Sequence, residues 1–240
     1  MSLSADGRSP DRDRYRDYWR ENLKRWAGLY DVESADGHLE NLRAGPLLAS
    51  MYRYAITPIE RRLLRTRLEL CQSFVRRYVS AGQVVNDVGC GTGVLTTELL
   101  AQGAQVVAID FLDEALAATR ARVAALRPQD TERVTYICLD VRTASTPEAD
   151  IAIAIGLAPY VQDLDAFFRN VVKSAHMSYC HFIDGEHWAN RVRRLMPALN
   201  VRDLNYTTPS AIEALYRKNE RTLLERDRLG SGFLDFTQRS

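Results

Sequence analysis

From residue 84 onward, short apolar runs alternate with helix-type stretches, and no other property of the chain restricts its fold as much. Val84–Val88, Val106–Ile109, Val134–Leu139, Ile151–Ile155 and Tyr179–Ile183 read as buried strands. Between them, Thr92–Gln102, Leu112–Leu126 and Leu164–Val172 read as helices, the first stopped by Gly103 and the second by Pro128. Strands of this kind joined by helices require a parallel sheet covered on both faces. The C-terminal part differs. Ser210–Lys218 reads as a helix, and Arg221–Arg228 and Phe233–Thr237 as strands joined by Leu229-Gly230-Ser231-Gly232, a hairpin and therefore antiparallel. The expected fold is α/β: a Rossmann-like seven-stranded sheet, mostly parallel, with an antiparallel C-terminal strand and helices on both faces.

The segment before residue 84 reads differently again. Residues 1–13 are polar and read as a disordered tail. Residues 14–80 read as an N-terminal helical segment or lid. Tyr15, Tyr18, Trp19, Leu23, Trp26 and Tyr30 recur at near-helical spacing, and two further helical stretches run over Leu47–Tyr54 and Pro58–Tyr78. The aromatic face suits either a core contact or a cover over a flat acceptor. Residues 81–240 form the expected main domain.

The residues that carry chemistry lie at strand ends. Asp87-Val88-Gly89-Cys90-Gly91-Thr92-Gly93 joins the first strand to its helix. Glycines there let the backbone turn and approach a ligand closely. A dinucleotide loop reads G-x-G-x-x-G, whereas here the glycines are 89, 91 and 93. Asp87 ahead of them repels phosphate and attracts an ammonium. Asp110 ends the second strand, where Rossmann-type folds place a ribose-binding carboxylate, and Phe111 beside it suits an adenine face. Asp140 ends the third strand, placed to accept from an exocyclic amine.

This combination resembles the class I S-adenosylmethionine-dependent methyltransferases, firmly over Val84–Ile155 and loosely elsewhere. The resemblance implies S-adenosylmethionine as cofactor and S-adenosylhomocysteine as product. It implies that Gly89, Cys90, Gly91 and Gly93 line the methionine and ribose part, that Asp87 holds the amino end, and that Asp110 takes the ribose hydroxyls with Phe111 adjacent. It places Asp140 and Val141 beside the adenine and Gly156 and Leu157 near the methyl group. Arg25-Trp26, Tyr30-Asp31, Phe182–Met196 and Gly230-Ser231-Gly232-Phe233 are similar to the magnesium-protoporphyrin O-methyltransferase branch and its small-molecule relatives. The Pro58-Ile59-Glu60-Arg61-Arg62 helix start is similar to methyltransferases of cell-envelope saccharide gene clusters.

Methyl transfer from an activated sulfonium asks mainly for alignment of nucleophile, carbon and sulfur. A hydroxyl acceptor also needs its proton removed, and a carboxylate does not. Gly156-Leu157-Ala158-Pro159-Tyr160 looks like the [N/D/S]-P-P-[Y/F] motif of nucleobase amino methylation, but Ile155 or Gly156 stands where the hydrogen-bonding residue belongs. The expected acceptor is a small molecule methylated on oxygen, with Tyr30, Tyr160, His187 and Trp188 at its pocket and His187 and Tyr160 as catalytic candidates. An RNA acceptor and a non-catalytic cofactor-binding module are the alternatives. His181, inside the fifth strand, reads as a satisfied core histidine.

Composition narrows partners and compartment. The 240 residues are 46% hydrophobic with net charge +1, without the basic excess of a nucleic-acid binder, so DNA is not expected. No apolar run reaches a membrane span. Cys71, Cys90, Cys138 and Cys180 lack metal-ligand spacing, so no metal is expected and a reducing cytoplasm is. A homodimer is compatible with these features.

Overall fold

The computed structural model describes residues 57–195 and 204–240, together with Arg16, Asp17, Trp19, Arg20 and Leu23. The expected tail 1–13, the Leu47–Tyr54 helix, and Tyr15, Tyr18, Trp26 and Tyr30 lie outside the described residues.

Among the described residues eight strands form one sheet: β1 (Val84–Val88), β2 (Gln105–Asp110), β3 (Val134–Cys138), β4 (Ala149–Ala154), β5 (Ala175–Asp184), β6 (Tyr206–Thr207), β7 (Arg221–Leu229) and β8 (Gly232–Arg239). The order is β3-β2-β1-β4-β5-β8-β7, and β6 pairs with the end of β5. All pairs among β1–β6 are parallel, and β8 runs antiparallel to both β5 and β7. The strand count corrects the expectation of seven. The eighth, β6, is two residues held by the register Ile183↔Tyr206 and Asp184↔Thr207, too short to carry a periodicity.

The helices are α1 (Thr57–Tyr78), α2 (Val94–Ala101), α3 (Asp113–Leu126), α4 (Leu164–Phe167), α5 (Trp188–Leu195) and α6 (Pro209–Lys218). The expected helix Leu164–Val172 is α4 continued by a π-helical turn, Phe168–Val172. Arg16, Asp17, Trp19, Arg20 and Leu23 are helical as well.

Strand alternation sorts side chains between two apolar layers. Ile151 and Ile153 of β4, Tyr179 of β5 and Leu234 and Phe236 of β8 face Cys71, Phe74 and Val75 of α1 and Leu99 and Leu100 of α2. The residues between them, Ala152, Ala154, Cys180, Phe182 and Phe233, face Phe167 of α4, Phe168 and Val172 of its π turn and Ile212 and Tyr216 of α6. Phe74 stacks on Tyr179 with ring centroids 4.2 Å apart, fixing α1 against the sheet. The chain leaves β1 for β2 on one side and returns to β4 on the other, so the carboxyl ends of β1 and β4 open a crevice at the switch in strand order. Among the described residues no helix is long and apolar enough to cross a membrane.

Candidate active site

The crevice is a cavity whose floor is the loop after β1. Gly89, Gly91 and Gly93 have φ of +77°, +57° and +76°, a left-handed region that glycine enters without steric penalty. The amides of Gly89 and Cys90 both donate to the Ile109 carbonyl (2.8 and 3.1 Å), which ties the loop to β2. Thr119 of α3 donates through Oγ1 to the Gly91 carbonyl at 3.0 Å. A side chain at Gly93 would meet Thr119 Cγ2 at 2.8 Å, whereas a Cβ at Gly91 would meet nothing within 4 Å. Gly93 is therefore a packing requirement, and Gly91 keeps space open above the loop.

Three carboxylates edge this space. Asp87, buried at the end of β1, accepts from Thr96 Oγ1 at 2.6 Å. Asp110 ends β2 and accepts from the amides of Gly91 and Leu112, each at 3.1 Å. Burial raises both to about 6, and the charge of Asp110 adds to the shift at Asp87. Asp140 is gripped by Arg142, whose Nε and Nη2 donate to its two oxygens at 2.9 and 2.8 Å.

Of the residues assigned to the cofactor from the sequence, Asp87, Gly89, Cys90, Gly91, Asp110, Phe111, Asp140, Val141, Gly156 and Leu157 line the cavity; Gly93 does not, and packs behind the loop on Thr119. Tyr160 also lines it and meets Trp19 edge-on at 4.7 Å. Arg16 donates to the Phe111 carbonyl at 3.0 Å and Arg20 pairs with Glu114 at 2.6 Å, which ties these N-terminal helical residues to the end of β2 and the start of α3. Tyr30 lies outside the described residues.

His187 and Trp188 stand apart from this wall. The His187 carbonyl accepts from the amides of Asn190 and Arg191, and its Nδ1 accepts from Ala189 at 3.3 Å, so the residue caps α5. Trp188 is 72% exposed. Their place in the wall is taken by Trp19 and Leu23, from the face the sequence offered as core or cover, and by side chains that sequence reasoning did not select: Arg67 and Cys71 of α1, Arg142, and His181 and Ile183 of β5. A signal existed for Arg67. It falls on the stripe Leu64, Arg67/Leu68, Cys71, Phe74/Val75, where an arginine among buried positions is out of pattern.

The cradle fits a ligand with a cationic amino end, a diol and a planar base. The open space over Gly91, the buried carboxylates Asp87 and Asp110, and the ring of Phe111 supply one surface for each.

Residues 86–176 match the family model described as a methyltransferase domain. No curated protein matches the sequence. Among solved structures, the magnesium protoporphyrin IX methyltransferase of Synechocystis PCC 6803 with bound S-adenosylhomocysteine superimposes with a TM-score of 0.73, at 15% identity over 95% of this chain and 100% of that one. The 1,6-didemethyltoxoflavin-N1-methyltransferase of Burkholderia thailandensis gives 0.56, at 17% identity over 80% and 85% of the two chains. A ribosomal protein L11 methylase from Lactobacillus delbrueckii subsp. bulgaricus gives 0.51, at 18% over 73% and 79%. At such identities the likeness is one of fold, and the three names span a porphyrin, a small heterocycle and a protein. Residues 86–176 thus carry a methyltransferase domain, in a fold shared with methyltransferases solved with bound S-adenosylmethionine or S-adenosylhomocysteine, with the cradle Asp87–Gly93 at the carboxyl end of β1.

Proposed function

We propose that the enzyme transfers the methyl group of S-adenosylmethionine to an oxygen of a small-molecule acceptor. The observation that carries this reading is the lining of one cavity, which joins the carboxylates Asp87, Asp110 and Asp140, suited to the cofactor, with Leu157, Tyr160, Arg67 and His181, available to an acceptor. Trp19 lies over Tyr160 and narrows the way in, which favours a small acceptor over a folded macromolecule.

In this reading Asp87 accepts from the amino group and the loop amides of residues 89–91 follow the methionine and ribose. Asp110 accepts from the ribose hydroxyls, Phe111 packs on the adenine, and Asp140 with Val141 borders its edge. Gly156 and Leu157 sit beside the methyl group. The cofactor supplies the activated methyl. The chain aligns it, excludes water and holds the acceptor oxygen in line. Tyr160, rather than His187, lines the cavity.

Titration of the full chain with S-adenosylmethionine tests the reading. Asp110→Ala weakens binding by roughly ten- to a hundredfold, since a hydrogen bond to a charged group contributes ~1.5–3 kcal/mol. Folding is checked by thermal melting. Unchanged affinity refutes the ribose role, and no binding by folded wild-type protein refutes the cofactor assignment.

A further inference from the structure

Two threonines follow each other in α2 and make different bonds. Thr97 Oγ1 donates to the Val94 carbonyl at 2.8 Å, a local back-bond of the kind threonine makes in helices. Thr96 reaches out of the helix. Its Oγ1 donates to Asp87 Oδ2 at 2.6 Å. Thr96 is fully buried and is not part of the cavity wall, whereas Asp87 is. The Thr96 hydroxyl therefore acts on the cavity only through the carboxylate.

Strand alternation explains the meeting. Val85 faces the layer of α1 and α2, so Asp87, two residues on, is turned to the same side. On the elements packed around it, the titratable groups in the cavity wall are Arg67 and Cys71 of α1, Cys90 of the loop and Asp110 of β2. Glu98 of α2 is turned to Gln72 of α1, which donates to it at 2.9 Å. Arg67 stays charged. Burial pushes the Cys71 thiol up to about 12 and the Cys90 thiol well up, so both are neutral. Asp110 draws its donors from backbone amides, which no substitution removes, but Asp87 draws on a side chain. Burial raises Asp87, the Thr96 hydroxyl opposes that rise, the charge of Asp110 adds to it, and the Thr96 amide opposes it further. A hydrogen bond donated to a carboxylate favours the ionised form over the neutral acid.

We propose that Thr96 is the positioning residue for the amino end of the cofactor: from outside the cavity its hydroxyl fixes the Asp87 carboxylate and keeps it the anion that the ammonium meets. This rests on the cofactor reading given above. Without the hydroxyl, the buried carboxylate keeps the full cost of its desolvation and takes up a proton nearer neutral pH, and a neutral acid attracts no cation. A hydroxyl that only tied α2 to β1 would do none of this. Its loss would weaken binding equally at every pH.

The test is titration of the full chain with S-adenosylhomocysteine from pH 5.5 to 8, in wild type, Thr96→Val, Thr96→Ser and Thr97→Val. A hydrogen bond to a charged group moves a carboxylate by about one to two pH units, so Thr96→Val binds roughly three- to twenty-fivefold more weakly at pH 6.5 and within about twofold of wild type at pH 8. Thr96→Ser and Thr97→Val stay within about twofold throughout, since both leave a hydroxyl on Asp87. No loss in Thr96→Val, a loss of the same size at pH 6.5 and pH 8, or no rescue by Thr96→Ser overturns the proposal. Two measurements on ligand-free protein do not depend on the cofactor. In ¹³C-carboxyl spectra the Asp87 signal, identified by its loss in Asp87→Asn, titrates about one unit or more higher in Thr96→Val; an unmoved midpoint overturns the proposal. In wild type labelled with ¹³C-threonine, the Thr96 Cβ shift follows the Asp87 midpoint; a Thr96 signal that does not titrate overturns the proposal however the variants fold. Failure of S-adenosylhomocysteine to bind folded wild type overturns the cofactor reading, and the proposal with it, while the carboxyl titration still reports on the Thr96 hydrogen bond.

Discussion

Gly91 and Gly93 are two residues apart in the same loop, both with positive φ, yet the structure gives them different duties. Substituting alanine at each separates the duties. At both positions the left-handed backbone costs an L-residue roughly 1–2 kcal/mol. At Gly91 the added methyl meets nothing, so that is the whole stability effect. At Gly93 it also meets Thr119 Cγ2 at 2.8 Å and Thr119 Cα at 3.0 Å. Thr119 is fully buried and its hydroxyl is fixed on the Gly91 carbonyl, so it has no room to turn away. Overpacking of this kind costs a further ~1–3 kcal/mol. Gly93→Ala is thus destabilised by roughly 2–5 kcal/mol, and the gap between the two variants is about 2 kcal/mol. For a chain of this size that separates their Tm values by roughly 4–8 °C in calorimetry or a dye-based melt. Binding reverses the order of interest: the Gly91→Ala methyl enters the cavity and weakens S-adenosylmethionine by at least about tenfold in titration, as expected when a ligand's closest backbone approach is blocked. Thr119→Ser removes Cγ2 but keeps the hydroxyl, so in the double variant it returns about 1 kcal/mol to Gly93→Ala, a coupling typical of residues in contact. Equal melting of the two alanine variants, or full cofactor affinity in Gly91→Ala, refutes the reasoning.

The two buried carboxylates give a pH signature. Asp87 and Asp110 lie at about 6 in the fold against an ordinary value of 3.8, so in ligand-free protein their contribution to stability is complete below about pH 4 and is lost as pH rises through 6. Cofactor affinity runs the other way, because the ionised forms bind: titrations from pH 5 to 8 show it strengthening through pH 6, and Asp110→Asn shallows the curve; a flat wild-type profile contradicts this. Trp19→Ala removes the edge-on contact with Tyr160, a pair worth ~0.5–1.5 kcal/mol, and releases S-adenosylhomocysteine roughly two- to tenfold faster in stopped-flow measurements. An unchanged release rate argues that Trp19 does not cover bound ligand.

The parallel strands were readable because burial on both faces writes them as apolar runs. β1 matches its sequence reading residue for residue, and β2 to β4 match within two. The carboxylates were readable too, since strand-end residues are placed by the strands that precede them, and Asp87, Asp110 and Asp140 needed no long-range information. The rest of the cavity wall was not. His181 and His187 lie six residues apart at the same sheet edge. What turns one inward is the register Phe182↔Phe233 and Ile183↔Gly232, a pairing between segments fifty residues apart. What turns the other outward is a helix cap whose helix, α5, has an apolar face that remains exposed at Trp188, Val192 and Leu195. Arg67 reaches the site only because α1 packs across the sheet through Phe74 and Tyr179, a contact between distant parts of the chain.

The antiparallel strand β8 follows every other strand in the chain and yet sits between β5 and β7, buried for most of its length. A nascent chain that has emerged only as far as Gly230 therefore presents the edge of β5 with Cys180 and Phe182 beside it, a template for pairing with other chains. The sheet closes only by insertion of its last-made strand, a non-local step that slows folding. Gly232 enters with that strand against His181, so this part of the cavity wall is complete only once β8 has paired with β5.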